Sequence, residues 1–415
     1  MMNWAIIHYG ELALKGKNRP AFEKQLRRNI RRALGGLTAE IERSHGRFLL
    51  RWEGDTPWSE VRSRLEVVFG TAYFAPARVV DLDLQQLKRA VAELAGERSF
   101  SSFRIRTRRA EKRFLLTSQE TDRDLGAWVQ TMTPARVDLT HPEVTFYVEV
   151  LPGRAVLYAE KIPGPGGLPV GASGRVVSLV SGGIDSPVAA WLLMKRGCRA
   201  VILHFHSYPF TSLASQEKVL ELTQLLNAYQ FSSRLYLVPF ADAQREILVS
   251  APEPYRVILY RRLMLRMAQA IAHRERAKAL VTGDNLGQVA SQTLINLATS
   301  EAAVSLPVLR PLIGMDKQEI VALAQRLGTY EVSIRPHDDC CQLFMPRHPA
   351  TRASPAEIDS AEGTLDMEAL VRRGLNQATI LRFDASGSHE LENPWREEAR
   401  LPAEPSVVPS EEQAS

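Results

Sequence analysis

The sequence predicts a multidomain protein: two small α+β units, then a larger α/β domain with a doubly wound parallel sheet. Strand-like and helix-like stretches follow one another within residues 1–71 and again within 72–162. Residues 163–172 are rich in proline and glycine, which favour a linker because they interrupt regular helix and strand. Beyond the linker, apolar strand-like runs alternate with helical patterns up to residue 348, as in doubly wound sheets.

The 415-residue chain is 45% hydrophobic, which is ample for packed cores. Its net charge of +5 is mildly basic, so the placement of the cations matters more than their sum. Three cysteines are too few to indicate a disulfide framework, and they fit a reducing cytoplasm. The start lacks a charged stretch followed by a long apolar run, and no apolar run could span a bilayer. We therefore expect no signal peptide and no membrane association.

The first unit, residues 1–71, is predicted to have a ferredoxin-like α+β fold. Residues 5–9 and 47–52 are typical of strands, while apolar residues at helical spacing predict helices from Pro20 and over residues 59–69. Cations lie on the loop after the first strand and on the outer faces of the first helix. The candidates for RNA binding among them are Lys15, Lys17, Arg27 and Arg31. The alternative to RNA binding is that these cations belong to an ordinary solvated helix face, and the residues alone do not decide between the two.

The second unit, residues 72–162, carries a denser basic cluster. Residues 103–109 alternate as a strand does, and the cations continue to residue 113, with Phe103 and Phe114 on either side. Such a cluster is typical of a surface that binds phosphates, with aromatic surfaces nearby. The candidates for RNA binding here are Arg104, Arg106, Arg108, Arg109, Lys112 and Arg113. The alternative interpretation of this cluster is an ordinary solvated strand edge. Two basic clusters that precede a nucleotide site in the sequence favour RNA binding instead.

Residues 181–186, Ser-Gly-Gly-Ile-Asp-Ser, form the most informative stretch of the chain. They follow an apolar strand-like run, residues 176–180, and precede a predicted helix with Pro187 in its first turn. Strand, glycine turn and helix together point backbone N–H groups and the positive end of a helix dipole at one place. The stretch therefore predicts a site for a phosphate or pyrophosphate.

Each residue type of this loop suits that role. Two glycines let the backbone approach a ligand closely, and Asp185 can hold a Mg²⁺ that bridges phosphate oxygens. The candidates for phosphate contact are Ser181, Gly182, Gly183 and Ser186. The loop lacks the G-x-x-x-x-G-K-[ST] pattern. It resembles the S-G-G-x-D-S loop of the PP-loop ATP pyrophosphatases, which cleave ATP to AMP and pyrophosphate and adenylate a carbonyl or carboxylate oxygen.

In a doubly wound sheet, ligands bind at the carboxyl ends of the strands. That rule brings residues 179–180, 204–205 and 282–284 to one crevice, where Phe205 can pack against an adenine. His204 and His206 also resemble zinc ligands, but the sequence offers no further ligands at suitable spacing. We favour a structural role at the strand end, or nucleotide contact, for these histidines.

Lys317 begins a predicted helix that Asp316 can cap. A lysine at a helix start is either plain surface charge or a mobile cation that reaches phosphates. The cysteine pair Cys340 and Cys341 follows soon after, and adjacent cysteines in a cytosolic chain indicate a thiolate nucleophile or a persulfide carrier. Cys198 is predicted to be a small buried residue, and its distance from the pair disfavours a three-cysteine iron–sulfur cluster.

Further stretches resemble one family of enzymes. Residues 103–121 resemble the THUMP domain, an RNA-binding module of tRNA-modifying enzymes. Residues 9–19 resemble the ferredoxin-like domain that precedes THUMP in the tRNA 4-thiouridine synthetases, and residues 166–171 resemble the segment that enters their ATPase domain. The resemblance covers about residues 5–348. It implies catalytic roles for Asp185, Lys317 and Cys340. It also implies that these residues line the ATP pocket: Leu179, Val180, His204, Phe205, Arg261, Gly283 and Gln292.

The implied activity is transfer of sulfur to uridine 8 of tRNA with ATP and Mg²⁺, through an adenylated uracil and a cysteine persulfide. The implied partners are tRNA, a cysteine desulfurase and the carrier protein ThiS, which takes sulfur into the thiazole of thiamine. Residues 349–415 have weak periodicity and are predicted to be a partly disordered tail, with a helix over residues 367–375 and disorder from Asn393. The tail contains no cysteine, so the chain resembles the shorter members, which lack a rhodanese domain. The sequence leaves open the immediate sulfur donor, the role of Cys341 and the oligomeric state, a homodimer included.

Two other functions stay open at this point. One is a PP-loop ligase or amidotransferase that adenylates tRNA without sulfur chemistry, which the cysteine pair disfavours. The other is a non-catalytic RNA-binding protein, which the intact S-G-G-x-D-S loop disfavours.

Overall fold

The structure is a computed structural model that describes residues 3–336, 346 and 348–398. The chain forms two compact units. The first comprises the chain up to Gly174 together with Leu193–Arg199 and Ala228–Phe231, and the second comprises the remainder. Among the described residues, no helix is both long enough and apolar enough to cross a membrane.

The first unit alternates strands and helices around one sheet. Short 3-10 helices lie at Glu11–Leu14 and Gly16–Asn18. The strands and helices are β1 (Asn3–Tyr9), α1 (Arg19–Leu34), β2 (Ala39–Ser44), β3 (Arg47–Trp52), α2 (Trp58–Leu65), β4 (Thr71–Asp81), α3 (Leu84–Gly96), β5 (Ser102–Arg109), α4 (Ser118–Met132), β6 (Arg136–Val137), β7 (Val144–Leu151), β8 (Arg154–Tyr158) and β9 (Ile162–Pro163).

The sheet order is β2-β3-β1-β4-β8-β7-β5-β6, and β9 pairs with β4. Strand β4 belongs to both expected N-terminal units. Its first part, Thr71–Ala77, pairs with β1, and its last part, Arg78–Asp81, pairs with β8. The expected boundary at residues 71 and 72 therefore falls at the start of a continuous strand. The ferredoxin-like and the second α+β folds share one sheet because this strand is long enough to pair in both.

The apolar side chains that recur at helical spacing in α1 form the face that packs against the first sheet. Leu26, Ile30 and Leu34 of the predicted apolar stripe are buried against the sheet. Burial of each such side chain stabilises the fold by about 1.5–3 kcal/mol. Gly35, with a φ of 62°, ends the helix in a backbone conformation that suits glycine. The helix predicted from Pro20 is confirmed.

A second sheet is formed from β10 onward. Further 3-10 helices lie at Glu253–Tyr255 and Ala290–Gln292. The strands and helices are β10 (Arg175–Leu179), α5 (Asp185–Lys195), β11 (Arg199–His206), α6 (Ala214–Gln230), β12 (Ser233–Pro239), α7 (Ala241–Ser250), α8 (Arg256–Glu275), β13 (Leu280–Val281), α9 (Leu294–Glu301), β14 (Val308–Leu309), α10 (Lys317–Leu327), α11 (Tyr330–Ser333), α12 (Pro355–Glu362), α13 (Met367–Asn376), β15 (Thr379–Asp384), β16 (Gly387–Leu391) and α14 (Pro394–Glu398).

The strand order β14-β13-β10-β11-β12-β15-β16 puts β10 at a topological switch point. Strands β11 and β12 continue the sheet on one side of β10, whereas β13 and β14 continue it on the other. Parallel registers join β10 to β13, β11 to β12 and β13 to β14, which confirms the predicted doubly wound parallel sheet. Ligands of such sheets bind outside the carboxyl ends of the strands at this point, and the loop after β10 lies there.

The expected tail after residue 348 is wrong for the part of it that the structure describes. Strand β15 pairs antiparallel with β12, and β16 pairs with β15, so both extend the sheet. Helices α12 and α13 bury Ile358, Leu370 and Leu375 in the core of the second unit, and the helix expected near residues 367–375 is confirmed. Asn393, where disorder was expected to begin, is buried and donates to three backbone carbonyls. Strands β15 and β16 are short, so no local periodicity revealed them. Residues 399–415 lie outside the described part.

Candidate active site

The loop after β10 is closed by its own hydroxyl groups. The Ser181 N–H donates to Ser186 Oγ over 3.0 Å, and the Gly183 N–H donates to Ser181 Oγ over 3.4 Å. Gly182 has a φ of 85°, which a residue with a Cβ rarely adopts. Helix α5 begins at Asp185. The loop thus turns directly into a helix N-terminus, as the sequence predicts, and a helix N-terminus attracts anions.

Two neighbouring strands hold this loop in place. His204 Nδ1 of β11 lies 2.8 Å from the Val180 carbonyl oxygen, and His204 is 2% exposed. On the other side, a Cβ added to Gly283 would lie 2.8 Å from the Ser186 nitrogen and 2.9 Å from its Cα. Only glycine lets the chain after β13 approach the first turn of α5 so closely. Gly283 is therefore needed for packing at the site.

A cavity of about 380 Å³ opens beside the loop. Phe205, Tyr260 and Met264 contribute to its apolar wall, and the loop and the first turn of α5 form its polar side. An apolar wall facing a phosphate loop suits a nucleotide. Of the residues predicted to contact nucleotide or phosphate, the cavity is lined by Leu179, Val180, Ser181, Gly183, Asp185, Ser186, Phe205, Arg261, Gly283 and Gln292. Gly182 and His204 shape the loop rather than line the cavity.

Asp284 lines the cavity, as its place at the end of a predicted strand indicates, but its role as a buried charge partner was not predicted. Its carboxylate accepts from Arg261 over 2.6 Å and from Thr282 Oγ1 over 2.7 Å. Gln292 Nε2 and Arg310 Nε lie 3.3 and 3.4 Å from it. Burial alone would raise the pKa of the Asp284 carboxyl, but the Arg261 and Arg310 cations and the hydrogen bonds hold it below its usual value. The signal available in the sequence was a carboxylate directly after a strand end.

Lys317 lies opposite Asp185. Its Nζ is 2.6 Å from Asp185 Oδ1, and the two side chains are 47% and 21% exposed. Asp316 accepts from the Glu319 N–H over 2.9 Å, and Glu319 reciprocates, so the predicted cap of α10 is confirmed. The cap fixes the start of α10 and therefore the backbone position from which the Lys317 side chain extends. The fold thus brings a cation and a carboxylate that are 132 positions apart in the sequence together beside the phosphate loop.

Of the other residues considered as ligands, His206 is half-buried and Cys198 is buried. Burial lowers the pKa of His206 to about 4, so its imidazole is neutral near pH 7. Burial also raises the pKa of the Cys198 thiol, despite the nearby Arg196, as expected for a small structural cysteine. Among the described residues, no three His, Cys, Asp or Glu side chains converge on a metal. Cys340 and Cys341 lie outside the described residues.

The predicted RNA-binding cations lie in two parts of the first unit, one around α1 and the other on β5 and the chain after it. Arg106 and Arg108 are exposed on one face of β5. Arg104 and Arg109 are partly buried; Arg104 donates to Thr145 Oγ1 and the Leu139 carbonyl oxygen, and Arg109 donates to two backbone carbonyls. The remaining exposed candidates are Lys17, Arg27, Arg31, Lys112 and Arg113, and Lys15 is half-buried with its ammonium over a phenyl ring. Strands β4, β8 and β7 separate β1 from β5 in the sheet.

Comparisons with known proteins agree with this architecture. Residues 171–367 match the family model described as "Thiamine biosynthesis protein (ThiI)". Residues 4–75 match the ThiI ferredoxin-like domain, and residues 82–160 match the THUMP domain. These matches name the three parts that the fold shows.

Relatives match over nearly the whole chain. A protein of Thermus thermophilus named "Probable tRNA sulfurtransferase" is 50% identical over 93% of this chain and 95% of its own length. A protein of Moorella thermoacetica with the same name is 44% identical over 91% of this chain and 97% of its own. A solved "4-thiouridine synthetase - RNA complex with bound ATP" superposes with a TM-score of 0.85 at 36% identity, covering 92% of this chain and all of the other. The chain belongs to the ThiI family.

Proposed function

We propose that this chain is an ATP-dependent tRNA sulfurtransferase that converts uridine 8 of tRNA to 4-thiouridine in the cytoplasm. The observation that carries the proposal is the pairing of Lys317 with Asp185 beside a phosphate loop at the switch point of a parallel sheet. The names of the relatives support it, as do the RNA and the bound ATP of the solved 4-thiouridine synthetase complex. The 380 Å³ cavity is of a size that accepts an adenosine.

In this proposal the cavity holds ATP as a substrate. The adenine packs against Phe205 and the apolar wall, and Arg261, held by Asp284, faces the phosphates. The N–H groups of the loop and the N-terminus of α5 receive the β- and γ-phosphates. Because the loop is held by Ser186, His204 and Gly283, its N–H groups are oriented before the substrate arrives. Such preorganisation stabilises charge as it develops on the leaving pyrophosphate.

The donor set around Asp185 fits Mg²⁺. Magnesium is usually held by one or two carboxylates, with water and substrate phosphates completing its octahedron. Asp185 supplies one carboxylate at the start of α5, and it already has a cation, Lys317, within 2.6 Å. Bound there, the ion would neutralise phosphate oxygens. Lys317, on an exposed and movable side chain, then turns from Asp185 to the phosphates.

The reaction proceeds in two stages in this proposal. Uracil O4 attacks the α-phosphorus of ATP, the bond to the bridging oxygen breaks, and pyrophosphate leaves into the loop. The C4 carbon then carries AMP as its leaving group. The terminal sulfur of a persulfide on Cys340 bonds to C4 while the C4–O bond breaks and AMP departs. A second thiolate then attacks the Cys340 sulfur, which releases 4-thiouridine and leaves Cys340 in a disulfide with that thiol. An external thiol, such as the free cysteine of the assay, reduces this disulfide and regenerates the Cys340 thiol.

A cysteine desulfurase is the proposed source of the persulfide, and the exposed cations of the first unit are the proposed tRNA contacts. Arg106 and Arg108 on β5 belong to the part that matches the THUMP domain. The family description, thiamine biosynthesis protein, supports a second acceptor, the carrier protein ThiS. Formation of a thiocarboxylate on purified ThiS with ATP and desulfurase, measured by mass spectrometry, tests that second activity.

The main test is incubation of the full chain with unmodified tRNA, ATP, Mg²⁺, cysteine and a desulfurase. We expect mass spectrometry to detect 4-thiouridine at position 8 and equal amounts of AMP. Asp185→Asn should abolish AMP formation, whereas Cys340→Ser should keep AMP formation and block thiolation. AMP without 4-thiouridine in the wild type would instead indicate adenylation without sulfur transfer, and neither product would indicate RNA binding alone.

A further inference from the structure

Two aromatic side chains are exposed on the loop that follows β11. Tyr208 and Phe210 are each 50% exposed, and Leu213 on the same loop is 47% exposed. Among the described residues of the second unit, no other aromatic side chain is as exposed. Leaving apolar surface in water forgoes the stabilisation that burial would give. Several large apolar side chains at one place therefore indicate a surface that another molecule covers.

The loop that carries the two rings is held from beneath. Ser207 is fully buried, and its hydroxyl donates to Gln244 Oε1 of α7, which is also fully buried. The Ser207 carbonyl oxygen accepts from the N–H groups of Phe210 and Thr211, over 2.8 and 3.1 Å. The turn is thus closed on a buried anchor. Rings presented on a fixed turn lose little conformational freedom when a partner binds them.

The loop lies at the edge of the sheet where the cavity opens. Phe205, near the end of β11, lines the cavity, and Tyr208 follows three positions later. Strand β11 lies between β10 and β12, and neighbouring strands are about 4.8 Å apart. Successive nucleotides of a stacked strand are about 3.4 Å apart along its axis, and further apart once unstacked. A nucleotide next to one held in the cavity can therefore reach the loop after β11.

A cation accompanies the rings. Arg245 of α7 is exposed, and its guanidinium carbon lies 5.9 Å from the centroid of the Phe210 ring. Aromatic faces beside an arginine are the combination with which proteins receive the bases and phosphates of single-stranded RNA. An apolar protein surface would gain nothing from this charge. The charge complementarity thus favours a polyanion as the occupant of this loop.

We propose that Tyr208 and Phe210 form a stacking platform for a nucleotide adjacent to the uridine that is modified. This inference rests on the proposed function. An enzyme that acts on a base must take it out of the stack, and the unstacking costs free energy. Stacking a neighbouring base on protein rings offsets that cost, and it does so for any base because each has a π face. The platform therefore serves the first stage of the reaction, in which uracil O4 must reach the α-phosphorus of ATP.

The experiment measures pyrophosphate release by the full-length protein with tRNA, ATP and Mg²⁺ but no desulfurase, so that only the first stage runs. Tyr208→Leu and Phe210→Leu keep an apolar side chain and remove the ring. We expect the second-order rate constant at limiting tRNA to fall about tenfold or more in each, since one lost base–aromatic stack costs that much. The KM for ATP should not change. Tyr208→Phe and Phe210→Tyr keep the ring and should keep the wild-type rate.

The matched control is Val249→Ala, which removes another exposed apolar side chain of α7 and should leave the rate unchanged. Arg245→Gln gives a measurement that does not depend on the rings: the slope of log Kd for tRNA against log salt should fall by about one.

Two results would overturn the inference while the wild type still releases pyrophosphate. One is wild-type pyrophosphate release in the folded leucine variants together with an unchanged salt slope in Arg245→Gln. The other is a loss confined to thiolation with the desulfurase present, which would show that the loop docks a protein. A wild type that releases no pyrophosphate with tRNA would overturn the proposed function itself.

Discussion

Lys317 Nζ lies 2.6 Å from Asp185 Oδ1, although the two residues begin different helices and are 132 positions apart. Helix α5 starts at Asp185 and helix α10 starts at Lys317, so the pair joins two helix N-termini at the edge of the cavity. An N-terminus stabilises anions, and a lysine there adds a second positive charge for the same anion.

Replacing Lys317 with methionine should lower the rate of AMP formation about 10²- to 10³-fold and change the KM for ATP much less. The reason is that a cation acting on the departing pyrophosphate is worth most in the transition state. Single-turnover release of AMP from ATP with saturating tRNA measures the effect. Lys278→Met removes an exposed lysine of the same unit and should leave the rate unchanged. Equal losses in the two variants would contradict the assigned role.

Gly283→Ala should lower both the melting temperature and the rate of AMP formation. A Cβ at this position would lie 2.8 Å from the Ser186 backbone nitrogen, so either β13 or the start of α5 must shift. Overpacking of this kind costs about 1–3 kcal/mol. Thermal unfolding and the AMP assay give the two measurements. Gly314→Ala is the control because nothing lies near the added methyl group; if both alanines behave alike, the close approach is not what limits the site.

Asp284→Asn should destabilise the protein by about 3 kcal/mol near neutral pH, because it removes the buried carboxylate charge that pairs with Arg261 and Arg310. The pKa of Asp284 is held below its usual value, so the folded state binds its proton less readily than the unfolded chain. Its stabilisation is complete above about pH 4 and is lost as the pH falls toward the folded-state pKa.

The variant should therefore lose less stability than the wild type on acidification below about pH 4. Urea unfolding at a series of pH values measures this slope. Asp55→Asn, at an exposed position, should keep the wild-type slope. An unchanged slope in Asp284→Asn would refute the assigned charge state.

Arg106→Gln and Arg108→Gln should each weaken tRNA binding and reduce the slope of log Kd against log salt by about one, the value for one lost phosphate contact. Both side chains are exposed on β5. Filter binding at several salt concentrations measures the slope. Arg104→Gln offers a contrast, since its guanidinium bonds within the protein, and it should lower the melting temperature while keeping the slope. Unchanged slopes in all three variants would indicate that tRNA binds a surface that does not include β5.

Local patterns were enough to predict much of the site. The glycine loop, the helix after it and the Asp316 cap each depend on a few consecutive residues, and the structure has them where the pattern predicts. The pairing of β15 with β12, in contrast, joins residues about 150 positions apart and left no trace in periodicity. The expected tail was wrong for that reason.

The sequence by itself determined the loop that we propose as the phosphate site, because a loop between a strand and a helix is a local structure whose backbone N–H groups point one way. Only the tertiary structure decided which distant side chains complete the site. Asp284 owes its charge state to burial and to Arg261 and Arg310, which other elements contribute. In the sequence it is only a carboxylate at the end of a predicted strand. Its importance arises because a polar group removed from water must find a partner, and the fold chooses that partner.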